Sequence, residues 1–147
     1  MTRTLRERHA GAMVRLRDDE DVWVATADGE GTPCLVPLSF WWDGLELWLA
    51  TRRTNPTGRN MEASGRVRLS LGHTRDLVLI DGTARVAEFA RLPHGVGDAF
   101  AAKAVWDPRG DGPSYAFLRG PAAMGAGLGT VAEMRDRDLM KEGVWLF

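Results

Sequence analysis

Residues 22–50 read Val22-Trp23-Val24-Ala25-Thr26-Ala27, then Asp28-Gly29-Glu30-Gly31, then a β-rich run over 32–42. Asp43-Gly44 follows, and then Leu45-Glu46-Leu47-Trp48-Leu49-Ala50. β-branched and aromatic residues dominate these runs, and clusters of Asp and Gly separate them. In the last run apolar residues alternate, which places Leu45, Leu47 and Leu49 on one strand face. Asp-Gly between two such runs is a strong hairpin signal. The segment therefore predicts a three-stranded antiparallel meander with short turns.

Working outward, residues 4–19 predict a helix whose core face carries Leu5, Ala12, Met13 and Leu16. It should fray before the acids Asp18, Asp19, Glu20 and Asp21, which oppose the macrodipole at a helix C-terminus. Past the meander, Asn55-Pro56 is an N-cap and first-position signature for a short helix ending near Gly65. Alternation resumes over 66–71 with Val67, Leu69 and Leu71 inward. Residues 75–89 read as a strand pair or one long bent strand, with Asp81-Gly82 as a bulge or turn. Val96, Phe100 and Ala104 lie at i, i+4 and i+8, so residues 93–106 predict a helix. A loop over 107–113 and a strand over 114–118 follow. Residues 120–129 have no clear period, and 131–141 predict a last helix before Gly143 and an apolar end. The sum is a single domain over 1–147 of the mainly β class, with flanking helices. About six strands would form a small antiparallel barrel, whose mouth, or a groove between two copies, is the natural ligand site.

Composition narrows the function classes. The 147 residues carry a formal net charge of -1, so there is no broad attraction to nucleic acid or anionic lipid. Any phosphate site must be local. A chain of this length buries roughly 68–70% of its unfolded surface, enough for a core without staples. No apolar run is long enough for a membrane span, and the start lacks a secretory h-region. The one cysteine, Cys34, suits a reducing cytosol, so a cytoplasmic protein is expected. His9, His73 and His94 are far apart without ligand spacing, so no metal site is expected. No nucleophile elbow or phosphate-loop lysine is present.

The segment richest in chemistry is Ala50-Thr51-Arg52-Arg53-Thr54-Asn55-Pro56-Thr57-Gly58-Arg59-Asn60-Met61. A strand end delivers Thr51, Arg52 and Arg53, and a capped helix start carries Thr57, Arg59 and Asn60. Helix N–H groups, hydroxyls and arginine forks together suit a phosphate. The same residues also suit a solvated loop with an ordinary N-cap, because arginine is plentiful in this chain. Trp106, Tyr115 and Trp145 are candidates to flank a planar ring, with core or interface packing as the commoner use.

Several pieces, in order, resemble the pyridoxamine 5'-phosphate oxidase-like family of FMN-binding split β-barrels. They are Val22 to Thr26 with Gly29 and Gly31-Thr32-Pro33, then Val36-Pro37-Leu38-Ser39-Phe40-Trp41-Trp42-Asp43-Gly44, and Leu47-Trp48-Leu49-Ala50-Thr51. Thr57-Gly58-Arg59-Asn60-Met61 resembles the family's phosphate-binding helix, Arg66-Val67-Arg68-Leu69-Ser70 the strand after it, and Asp81-Gly82-Thr83-Ala84-Arg85-Val86 its fifth strand. Residues 137–145 are similar to a tail of some members. The resemblance implies a homodimer with cofactor sites between subunits. It implies the flavin phosphate near Thr51, Arg52, Arg53, Thr57, Arg59 and Asn60, and the ring edge along Val36, Pro37, Leu38 and Ser39, with Trp145 also at the cofactor. The sequence departs from the family in two places. Gly58 stands where members often carry lysine, and the segment after Pro121 is rich in Ala and Gly.

On that resemblance, the expected function is an FMN-dependent oxidoreductase acting on a small organic molecule. One rival is a reductase of the same fold using the 8-hydroxy-5-deazaflavin coenzyme F-420. Its anionic tail would need a basic groove, for which Arg3, Arg6, Arg8, Arg15 and Arg17 are candidates. Another rival is a non-catalytic flavin-binding protein. No catalytic acid or base is assigned, and the substrate is not named by the residues.

Overall fold

The computed structural model of the chain describes residues 2–121, 124–128 and 137–146. Helix α1 (Leu5–Asp18) begins at a reciprocal cap. The Glu7 amide donates to Thr4 Oγ1 at 3.2 Å, and the Thr4 amide donates to Glu7 Oε2 at 2.7 Å. Ala12 and Leu16 bury its core face, with Leu5 and Met13 packed beside them. Arg8 is buried too, an outcome its charge did not suggest.

The meander follows as expected: β1 (Asp21–Ala27), β2 (Pro33–Trp42) and β3 (Glu46–Arg52). Asp43 fixes the second turn by accepting from the amides of Leu45 and Glu46 and from Trp48 Nε1. Leu47 and Leu49 point into the barrel core. Leu45 does not: it lies in the turn and is 82% exposed. Trp48 and Ala50, on the opposite face, are buried as well, because they form a second core cluster with Val96, Phe100 and Phe117. β3 is thus covered on both sides. An alternating pattern reports one buried face and is silent about a helix lying on the other.

Helix α2 (Pro56–Ala63) leads to β4 (Arg66–His73), which pairs with β5 (Asp76–Thr83) along its whole length. Asp81 and Gly82 sit in regular register opposite Arg68 and Val67, so no bulge or turn forms there. The break comes at Ala84, whose amide donates to the Gly65 carbonyl at 2.7 Å before the short β6 (Arg85–Ala87) begins. Helix α3 (Val96–Ala104) is shorter than its 93–106 expectation. It starts after Gly95 at φ 82° and stops at Val105, where φ is 52°. β7 (Tyr115–Pro121) then lies against β3.

The C-terminal part departs most from expectation. β8 (Met124–Leu128) pairs with β5 although its Gly/Ala sequence has no alternation. Residues 138–141, expected in a last helix, form β9 (Asp138–Lys141) instead. β9 makes a tight hairpin with β10 (Val144–Trp145) through Glu142 and Gly143, both at positive φ. Two consecutive positive-φ residues make a turn that matches strand twist, and a helix cannot pass through it. Residues 131–136 of that expected helix lie outside the described residues.

The described strands therefore number ten rather than about six, in the order β10-β9-β8-β5-β4-β1-β2-β3-β7-β6, all neighbours antiparallel. The sheet curls around one core of Val22, Val24, Phe40, Leu47, Leu49, Leu69, Leu71 and their neighbours. This is a split β-barrel, mainly β with flanking helices.

Candidate functional site: the split between two strands

β2 changes partners part-way along its length. Residues 33–39 pair with β1, from Ala27↔Pro33 to Asp21↔Ser39. Residues 40–42 pair with β3, from Phe40↔Leu49 to Trp42↔Leu47. Beyond Leu49, β3 continues through Ala50, Thr51 and Arg52, now paired only with β7 among the described residues. The two strands therefore splay apart where Ser39, Leu38 and Pro37 would otherwise face Ala50, Thr51 and Arg52.

A groove of about 280 Å³ fills this split, lined by Asp21, Pro37, Leu38, Ser39, Ala50, Thr51, Asn55, Trp106 and Tyr115. Strand β2 keeps hydrogen-bonding groups turned away from β1, and no described strand takes them up over 33–39. They are donors and acceptors for a ligand edge. The indole of Trp106 and the ring of Tyr115 meet edge to face at 5.6 Å, giving an aromatic wall. Trp106 Nε1 donates to Asp111 Oδ2, which anchors the indole.

At one end the groove is cationic. The Arg52 guanidinium lies 5.2 Å from the centre of the Tyr115 ring, and a hydrogen bond to Tyr115 raises its pKa further above the usual arginine value. Thr51 is buried, and its hydroxyl accepts from Asn55 Nδ2 at 3.3 Å. Asn55 thus makes no side-chain cap, and the first turn of α2 starts without one. Arg59 is exposed: its amide donates to the Asn55 carbonyl at 2.9 Å, while its guanidinium has no ion-pair or hydrogen-bond partner among the described residues. The other end is acidic: Ser39 Oγ donates to Asp21 Oδ1 at 3.2 Å. Asp21 and Pro37 also border a second, open cleft of about 480 Å³ that carries Asp18, Asp19 and Glu20.

The structure thus brings together Pro37, Leu38, Ser39 and Thr51 around the groove, with Val36 half-buried in the same strand and Arg52 at its rim. Arg53 is already engaged, paired with Glu62 and, at 3.8 Å, with Glu88. Thr57 is buried with its hydroxyl 3.4 Å from Cys34 Sγ. Asn60 is buried and donates to Thr26 Oγ1 at 3.0 Å, tying α2 to β1. Trp145 stands elsewhere. Its ring meets His9 of α1 edge-on at 4.8 Å, and it packs on the barrel core.

Gly58 has a physical reason. A Cβ there would lie 2.5 Å from the Arg52 carbonyl oxygen and 3.0 Å from the Arg53 backbone, so α2 approaches the strand end as closely as only glycine allows. The four arginines of the first helix and Arg3 just before it are not assembled into one groove. Arg8 is buried, while Arg3 and Arg15 bind Asp76 at 3.0 and 3.1 Å. Arg66, Arg68 and Arg85 are exposed, with Arg68 Nη2 donating to Asp81 at 2.8 Å. Among the described residues no group of three or more His, Cys, Asp or Glu could hold a metal, and no helix is long and apolar enough to cross a membrane.

Sequence reasoning did not place Asp21 at the site. Asp21 read as part of an acidic run, and nothing local says that it lies beside Ser39. Asn55 read only as a cap.

The family model for pyridoxamine 5'-phosphate oxidase matches residues 12–119. The chain belongs to the pyridoxamine 5'-phosphate oxidase family. Solved structures with the same fold include general stress protein 26 from Bacillus anthracis, at 17% identity and TM-score 0.64, covering 84% of this chain and 93% of that one. Another is a Clostridium acetobutylicum protein of the pyridoxinephosphate oxidase family related to general stress protein 26. It has 17% identity and TM-score 0.63, covering 86% and 89%. A structure named F420 Reductase matches at 17% identity and TM-score 0.61, covering 76% and 93%. A comparison with curated protein sequences returned no match. At these identities the structures speak for the fold, and the family fits a flavin-type oxidoreductase scaffold.

Proposed function

We propose that this family member binds FMN in the split between β2 and β3 and works as an oxidoreductase on a small organic molecule. The observation that carries the reading is the splay itself. It leaves the Pro37–Ser39 edge unpaired in a groove whose other parts are an aromatic wall and a rim that carries Arg52. The residues fit the group. Backbone groups of β2 suit the hydrogen-bonding edge of the ring, and Leu38, Ala50 and Tyr115 suit its faces. Arg52 and Arg59, with the hydroxyl of Thr51 and the first turn of α2, suit one phosphate. When bound, FMN supplies the electron-transfer chemistry, while the protein orients it and sets its electrostatics. Arg53, Thr57 and Asn60 act one layer back: each is held by Glu62, Cys34 or Thr26 and keeps α2 against the strands.

The sites lie, in this proposal, at the interface of a homodimer. Trp23, 48% exposed, and Leu35, 63% exposed, stand with Pro37 on the outward face of β1 and β2, and Pro37 belongs to both that face and the groove. An apolar sheet face continuous with the site is suited to a second copy. The deazaflavin coenzyme is the second reading, favoured by the likeness to the structure named F420 Reductase. It is weakened by the pairing of Arg3 and Arg15 with Asp76.

One experiment separates these. The apo-protein is titrated with FMN and with the deazaflavin coenzyme by fluorescence, with sedimentation read on the same sample. Tighter binding of FMN to a dimer is expected. Preference for the deazaflavin would move the protein to that branch, binding of neither would remove the redox reading, and FMN bound to a monomer would remove the interface.

A further inference from the structure

Lys103 is one of only two lysines in the chain, the other being Lys141. It extends from α3 onto β2, where its Nζ donates to the Phe40 carbonyl at 2.8 Å and lies 3.9 Å from the centre of the Phe40 ring. Phe40 is the residue at which β2 changes partners, and it adjoins Ser39 on the groove floor. Three residues after Lys103, the same segment delivers Trp106 to the groove wall. A single ammonium thus ties the floor strand to the element that supplies the wall, at the point where the split opens.

Its charge is held in an unusual setting. Burial draws the Lys103 pKa below the ordinary lysine value, while the carboxylates of Asp19, Asp21, Asp18 and Glu20 push it back up. Those four acids run from the last residue of α1 through the link to the first residue of β1. Of these acids Asp21 lines the groove, and Lys103 is held on Phe40, next to Ser39, to which Asp21 is hydrogen-bonded.

We propose that Lys103 is a positioning residue for the bound cofactor. It clamps the β2 floor to the Trp106 wall, and its charge offsets the acidic end of the groove so that the site can hold a reduced, negatively charged ring. The inference rests on the flavin reading. Two-electron reduction with uptake of one proton leaves one added negative charge on a flavin ring. A nearby cation stabilises that charge, and uncompensated carboxylates oppose it.

The test is the midpoint potential of FMN bound to the full chain, measured by dye equilibration in the parent and three variants. Lys103→Met removes clamp and charge, Lys103→Gln keeps a donor for the Phe40 carbonyl without the charge, and Lys103→Arg keeps the charge. The potential is expected to move to more negative values in the Gln and Met variants and to return toward the parent value in the Arg variant. A parent-like potential in the Gln variant, with a parent-like melting temperature, would overturn the charge role. The Gln variant decides the matter if the Met variant fails to fold. Failure of the parent to bind FMN would overturn this inference together with the flavin reading, whereas FMN binding with unshifted potentials would overturn this inference alone.

Discussion

Gly58→Lys lowers the melting temperature by about 4–12 °C, corresponding to roughly 2–3 kcal/mol of overpacking at about 2–4 °C per kcal/mol for a chain of this size. The offending contact is backbone on backbone. The new Cβ would press on the Arg52 carbonyl oxygen at 2.5 Å and on the Arg53 Cα and carbonyl oxygen at 3.0 Å. Neither can retreat freely, because the Asn55 amide donates to Arg52 O at 3.1 Å and the Arg53 amide donates to Ser114 O at 2.8 Å. Replacing glycine in a helix would ordinarily favour the fold by up to about 1 kcal/mol, which is too little to offset this contact. A calorimetric scan checks it, and a melting temperature equal to or above that of the parent would show that α2 can lift from the strand. The expectation also bears on function. Lysine cannot simply be restored at this position to strengthen a phosphate site, which leaves the charge to Arg52 and Arg59.

Phe100→Ala is expected to cost about 3–5 kcal/mol, the range for deleting a fully buried phenyl ring, and so to lower the melting temperature by roughly 6–20 °C. Phe100 has no exposed surface. Its ring meets Phe117 edge-on at 4.9 Å and Trp106 at 6.4 Å. The loss therefore reaches the groove, since the wall indole rests on the deleted ring. Calorimetry reads the stability, and the Trp106 contribution to tryptophan fluorescence reads the wall. A variant that loses only about 1 kcal/mol would mean that the second core cluster does not hold α3 to the sheet.

How far the sequence carried depends on how local each cause is. The β1–β3 meander was legible because its causes lie within a few residues: alternation, Asp-Gly turns, and an Asp43 that satisfies its own turn. The short α2 was legible from Asn55-Pro56, although Asn55 turned out to bind Thr51 rather than cap the helix. The split was not legible, because it is a relation between strands. No residue in 33–42 signals that its pairing passes from β1 to β3 at Phe40. The C-terminal strands were missed for the opposite reason. β8 consists mostly of Gly and Ala, so it carries no period, and its place is set by β5 alongside it. Leu45 was misplaced by one position of a turn. Arg8 stood among the candidates for a basic groove, and its burial was not legible because it depends on what packs against the helix. Of the proposed phosphate residues, the spacing marked one segment but could not separate Arg52 and Arg59, which are exposed, from Thr57 and Asn60, which are buried.

The central claim is that a phosphate-bearing flavin sits in the split with its phosphate at the Arg52 and Arg59 rim. The most direct test is paired equilibrium titration of FMN and riboflavin, which differ by that phosphate, into the parent protein and Arg59→Ala. A charge-assisted contact contributes roughly 1.5–3 kcal/mol, so FMN affinity should fall about 10- to 150-fold in the variant while riboflavin affinity stays near the parent value. Equal losses for both ligands, or no loss for FMN, would contradict the proposed cradle.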